Sequence, residues 1–335
     1  MPGHWKSFRY RLERRGLDAL AWFFPRLSRA RAVKLGVVLG DLAYVLDRRG
    51  RAVADGNLEC VFGDRLSSDR RRWLVRSSYR NFVRTMLDLF WAPNLTPDNY
   101  RTWMKLEGFE ALHERHAQSP GGSVFLCVHQ GNWEWASLAC GFEGFGNVVV
   151  AENFKNTLLS DVFNRLREVS GQKIIPQESS MLRLLKTVKR GGATGMLLDL
   201  NLPPSQAATI IESFGPGGLE MCVTFLHALL AQRAGTLLIP VETEPRADGT
   251  CRIVAHPPVA WPEGATVQEI AQCCWDAMEP IIRARPGEWM WSYKHFRYRP
   301  KHATRPYPAY ANVSSKFEKL RRTVGKPTAA GESVP

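Results

Sequence analysis

In the stretch VFLCVHQGNWEWAS, residues 124–137, a histidine and a glutamate stand five positions apart, His129 and Glu134. A carboxylate that keeps one imidazole nitrogen protonated and oriented leaves the other free to take a proton from an attacking hydroxyl, which is general-base chemistry. Spacing alone carries little, because 8 histidines and 32 acidic residues in 335 give about 0.8 such pairs by chance. The competing reading is a strand-end histidine bonded to a nearby carboxylate for structural reasons.

The local elements favour a positioned pair. Residues 123–128 (SVFLCV) form an almost wholly apolar run of the kind buried on both faces of a sheet, and Gly131-Asn132 breaks it. Asn132 is a good N-cap, and the residues from Trp133 to Phe142 follow with helical spacing. Glu134 then falls in the first helical turn, where the helix dipole favours an ionised carboxylate, and is expected to fold back towards His129.

The wider chain supplies a setting for that turn. Residues 7–115 read as helical; residues 69–91 put Trp73, Tyr79, Val83, Met86, Leu87 and Phe90 on one stripe, with Ser67 or Ser68 as cap. From Gly121 onward apolar runs alternate with amphipathic ones: SVFLCV, NVVV, KIIP, TGMLLDL, TLLIPVETEP and CRIVAH are the expected strands. Helices are expected from Trp133, over 157–170, 181–190 and 219–233, and near 267–285. This predicts an α/β fold, a mixed central sheet flanked by helices, preceded by a helical N-terminal region that contacts the membrane. The expected boundaries are 1–116 for the helical, basic, membrane-associating region, 117–300 for the α/β domain and 301–335 for a basic flexible tail. In such sheets ligands gather at the turns after the strands, where His129 lies.

Charge and composition narrow the partners. The net charge of +13 divides into +10 over residues 1–80, −4 over 81–285 and +7 over 286–335. Basic ends suit nucleic acid or an anionic membrane surface. LDALAWFFP (17–25) and VKLGVVLGDLAYVL (33–46), set among arginines, favour the membrane over nucleic acid, and neither reaches the ~18 apolar residues of a spanning helix. No cleavable signal peptide is expected. Seven cysteines, an odd number with no C-x2-C spacing, form neither a disulfide framework nor a zinc pattern. No P-loop, metal-ligand cluster or G-x-S-x-G elbow is present, so no metal or cofactor is expected.

With HQGNWE in view, the sequence resembles the late lipid A acyltransferases, the lauroyl and myristoyl transferases of the lysophospholipid acyltransferase superfamily, over roughly residues 30–300. The likeness rests on RAVADGNLECVFGD (51–64), the R-S-S-Y-R-N-F-V-R-T-M-L-D helix, the H-x4-E turn and the closing PGEWMWSYKHFRYRP (286–300). The resemblance implies transfer of a fatty acyl chain from a thioester, acyl carrier protein or acyl-CoA, to a hydroxyl of a lipid A precursor at the cytoplasmic face of the bacterial inner membrane. It implies His129 and Glu134 as the catalytic dyad, with Asn132 shaping the turn. Lys155, Asn156, Asp161 and Arg167 match the family's K-N segment, and Asp199 matches its strand-end aspartate; all are implied on the substrate side. Phe214-Gly215 resembles a turn preceding a helix. The chain departs from the family at Glu152, where an arginine is usual and which would therefore meet the substrate differently, at Leu200 and at Tyr293. Those departures keep two alternatives open: the same chemistry on another glycolipid, aminolipid or lysophospholipid, and an inactive membrane-bound scaffold.

Overall fold

The computed structural model describes residues 4–151, 154–177, 180–205 and 207–323. The alternating apolar runs pair into one seven-stranded sheet. Its strands are β1 (Met104–Glu107), β2 (Ser123–Cys127), β3 (Asn147–Ala151), β4 (Lys173–Pro176), β5 (Ala193–Leu197), β8 (Leu237–Pro245) and β9 (Cys251–Ala255). The order is β1-β9-β8-β2-β5-β3-β4, parallel throughout except where β8 meets β9. The sheet is mixed, as expected, and the helical N-terminal region contributes its edge strand, β1.

Helices α1 (His4–Phe23), α2 (Arg29–Leu46), α3 (Arg48–Phe62) and α4 (Ser68–Trp91) precede the sheet, followed by the short α5 (Tyr100–Trp103) and by α6 (Phe109–Gln118). Ser67 caps α4 by accepting from the Arg70 N–H at 3.2 Å. Of the six stripe residues, Tyr79, Leu87 and Phe90 are buried, but Trp73 is 51% exposed. Helices α7 (Trp133–Phe142), α8 (Thr157–Arg167), α9 (Ser180–Val188), α10 (Leu226–Ala234) and α11 (Val267–Ala284) cover the sheet. Two hydrophobic cores hold these layers, one rich in Trp275, Trp289, Trp291 and Phe296, the other around Trp91, Phe125 and Trp135.

One expected helix differs. Residues 219–233 begin as strand β7 (Leu219–Thr224), paired antiparallel with β6 (Ala208–Ser213), and only Leu226–Ala234 is helical. LEMCVT buries residues 219, 221 and 223 on one face and Cys222 on the other, against Phe317, so alternation is broken at Cys222 and a helical reading of the whole run hides the strand. The SFGPGG turn closes this hairpin, so Phe214-Gly215 precedes a strand. Phe214 has φ 62°, and its N–H donates to Glu279. Beyond Pro300, α12 (Ser315–Thr323) packs a fully buried Phe317 against β6 and β7. Residues 324–335 of the expected tail lie outside the described residues.

Candidate active site

Strands β2 and β5 lie side by side with Cys127 opposite Leu197. Two residues past that register pair, on adjacent parallel strands, are His129 and Asp199, so the register itself brings them together. His129 Nδ1 lies 2.8 Å from Asp199 Oδ1, and the His129 backbone N–H donates to Oδ2 at 2.8 Å. Trp289 Nε1 donates to the same Oδ2 at 2.7 Å. Asp199 is fully buried. Burial alone would raise its pKa, but the charge and hydrogen bonds of His129 outweigh that and hold it down to about 2. An ionised carboxylate at Nδ1 fixes that nitrogen as the protonated one and leaves Nε2 with its lone pair. No described residue hydrogen-bonds Nε2. The ring meets Trp133 edge-on at 5.1 Å, and Trp133 in turn packs on Phe82 at 6.0 Å.

The partner expected from spacing is therefore corrected: the carboxylate on His129 belongs to Asp199, not Glu134. Glu134 does stand in the first turn of α7, buried, but its oxygens accept from Arg167 Nε at 2.9 Å and Nη2 at 2.6 Å. A fork from a guanidinium satisfies a buried carboxylate better than one imidazole N–H, and the pair ties the start of α7 to the end of α8.

The turn between His129 and α7 is clamped along its whole length. Asn132 caps α7 by accepting from the Trp135 N–H at 3.1 Å and donates to Asp88 Oδ2 at 2.9 Å. Asn81 and Thr85 donate to the Gly131 carbonyl at 2.9 and 2.8 Å. Thr243 of β8 accepts from the Asn132 N–H at 2.8 Å and donates to the Gln130 carbonyl at 3.2 Å. The Met290 N–H donates to the His129 carbonyl at 3.0 Å. Gly131 has φ 59°, and a Cβ there would stand 2.3 Å from Thr243 Oγ1, so only glycine fits this turn. Asp88 is itself forked by buried Arg29 at 2.5 and 2.9 Å. Ser78 joins the set by donating to the Trp289 carbonyl at 2.5 Å.

Sequence reasoning missed Ser78, Asn81, Thr85 and Asp88 as a group. Their spacing of three, four and three along α4 was the available signal, a polar row on a helix face that packs inward. Of the other expected site residues, Asn156 caps α8 and donates to Glu13 at 2.9 Å and to the Tyr10 carbonyl at 3.1 Å, tying α8 to α1. Lys155 is exposed. Asp161 is exposed, 3.9 Å from Arg14. Glu152 lies outside the described residues.

The α/β sheet thus carries a histidine–carboxylate pair with an open imidazole nitrogen at the end of its central strands, an arrangement able to accept a proton. The model of the bacterial lipid A biosynthesis acyltransferase family matches residues 17–298, and the chain belongs to that family. It is similar to the lipid A biosynthesis lauroyltransferase of Escherichia coli (strain K12), 24% identical over 301 residues, which covers 88% of this chain and 94% of that protein. The chain is accordingly an O-acyltransferase.

Proposed function

We propose that the protein transfers a fatty acyl chain from an acyl thioester, carried by acyl carrier protein, to a hydroxyl of a lipid A precursor, with His129 as general base. The His129–Asp199 pair carries this reading. Nε2 takes the proton of the acceptor hydroxyl as its oxygen attacks the thioester carbonyl, and Asp199 stabilises the imidazolium that results. With the Trp135 N–H taken by the Asn132 cap, the N–H groups of Trp133 and Glu134 at the start of α7 supply donors for the oxyanion. The tetrahedral intermediate then breaks its C–S bond, the ester forms, and the proton passes from His129 to the leaving thiolate.

A cavity of about 440 Å³ supports an acyl ligand. It is lined by Ala43, Leu46, Tyr79, Phe82, Val83, Asp47 and Ser292, and Phe82 packs on Trp133 beside His129. Among the described residues no helix is long and apolar enough to cross a membrane. Exposed Trp5, Phe8, Leu12 and Trp22 on α1 support peripheral attachment to an anionic membrane surface instead. Glu134 and Arg167 serve this site by bracing the start of α7, and the exposed Lys155 is our candidate for meeting an anionic substrate group.

The test is mass spectrometry of total lipids from cells with and without the protein. A gain of one acyl chain on a lipid A species supports the reading. A gain confined to another glycolipid, an aminolipid or a lysophospholipid would move the acceptor, and no gain on any lipid would remove the activity.

A further inference from the structure

Helices α2 and α4 cross at unusually close range. A Cβ on Gly40 would stand 2.5 Å from the Arg80 Cα, and one on Gly36 would stand 3.3 Å from the Arg84 Cα. This contact fixes the roots of Arg80 and Arg84 along one flank of the helix pair. A groove of about 390 Å³ opens on that flank, between α4 and the end of α11. Arg70, Arg80, Arg84 and Arg285 line it, with Trp73 and a single carboxylate, Glu288.

The guanidinium charge in the groove exceeds its compensation. Arg80 shares Asp41 with Arg76, at 2.6 and 2.7 Å. Arg84 stands 3.7 Å from Asp88, whose carboxylate already forks Arg29. Arg285 pairs with Glu242 at 2.7 Å and Glu288 at 3.3 Å. Arg70 lies over the Trp73 ring at 4.1 Å, and no described carboxylate pairs with it. Arg84 Nη2 donates to the Arg246 carbonyl at 2.6 Å, and its buried Nε is the atom that faces Asp88, beyond hydrogen-bond distance. Guanidinium groups that share a carboxylate or lack one keep donors to spare, and a tetrahedral oxyanion is the ligand that satisfies several of them at once.

The surroundings indicate where that oxyanion comes from. Trp73 is 51% exposed at the groove, and Val37 of α2 forms part of its wall. The same helix exposes Val38, Leu42, Val45 and Leu46, a ridge of aliphatic side chains facing solvent. Exposed aliphatic and tryptophan side chains beside arginines match the head-group layer of a bilayer, where phosphates and acyl chains meet.

We propose that this groove binds the phosphate of a membrane glycerophospholipid while the α2 ridge enters the head-group layer. The site is separate from the His129 centre. Leu46, part of the exposed α2 ridge, also lines the cavity beside Phe82, so seating the ridge in the head-group layer brings that cavity to the lipid surface. The binding does not depend on the acyl-transfer reading; only its orienting value does.

The experiment is flotation of the full chain with three kinds of vesicle. One is phosphatidylcholine alone, one carries phosphatidic acid at about 4:1, and one is made equally anionic with oleic acid, which has a carboxylate and no phosphate. Wild-type protein is expected to bind the phosphatidic acid vesicles at least about 10-fold more tightly than the oleate ones. Arg70→Gln with Arg84→Gln is expected to erase that preference, while Arg183→Gln with Arg190→Gln, removing the same charge from the α9 surface, preserves it. Glu288→Gln removes the one carboxylate in the groove and is expected to tighten binding above pH 7, a gain that misfolding cannot imitate. Burial pushes that carboxyl up to about 7, against the pull of Arg285 and Arg84 and with the push of Glu244, so it is ionised there. Equal loss from both double variants, equal binding to phosphatidic acid and oleate vesicles, or no gain from Glu288→Gln would overturn the proposal. Tight binding of inorganic phosphate without vesicle attachment would overturn the lipid as its source.

Discussion

His129 and its neighbours separate two carboxylates that look equivalent in sequence. Asp199 accepts from the imidazole and Glu134 from a guanidinium, so their replacements should fail differently. Asp199→Asn is expected to keep the fold and lower kcat by about 10²–10⁴, because an amide cannot stabilise the imidazolium. Glu134→Gln leaves Arg167 without its charge partner and is expected to cost about 3 kcal/mol of stability, with the smaller effect on kcat in the protein that remains folded. Thermal denaturation beside initial rates checks both. If Glu134→Gln abolishes turnover at unchanged Tm, Glu134 acts in the chemistry and the bracing role is wrong. Asp199 also sets an acid limit. Its pKa is lowered on folding to about 2, so its contribution is complete above about pH 4 and is lost as the pH falls through 2. That contribution amounts to about 2 kcal/mol. The wild type should thus lose stability relative to Asp199→Asn across that window in acid titrations followed by circular dichroism.

At the scale of elements, the site is a turn held from outside. The strand, the turn and the α7 cap were legible in SVFLCVHQGNWEWAS because each is a local signal: apolar run, breaker, capping asparagine. The partner of His129 was not, since the β2–β5 pairing spans 70 residues and a register across that distance leaves no trace in local spacing. What the sequence does hold is a second strand of the same kind, MLLDLN, ending in an acidic residue as SVFLCV ends in a histidine. Nor was the hairpin of β6 and β7 legible, because LEMCVTFLHALLAQR passes from strand to helix without a breaker. The clamp is testable in two places. Gly131→Ala must displace Thr243 or the turn and is expected to cost about 3 kcal/mol with most of the activity. Thr85→Val removes one of two donors to the Gly131 carbonyl and should cost only about 1 kcal/mol, since Asn81 remains. Urea denaturation ranks the two, and the reverse order would mean that α4, rather than β8, sets the turn.

For the whole molecule, the division of charge follows the division of labour. The basic N-terminal end carries exposed apolar side chains on α1 and α2, while the slightly acidic middle carries the sheet and the His129 centre. If these helices attach it to the membrane as proposed, the protein should leave membranes, at least in part, on washing with high salt or carbonate; complete retention after both would mean that a segment inserts deeply. We propose above all that this acyltransferase moves an acyl chain by means of His129. The most direct measurement is the mass of a lipid A precursor incubated with acyl carrier protein thioester and either the wild type or His129→Ala. The wild type is predicted to add one acyl chain and the variant, folded and vesicle-bound as before, to do so at least about 10²-fold more slowly. Acylation by His129→Ala at the wild-type rate would contradict the account.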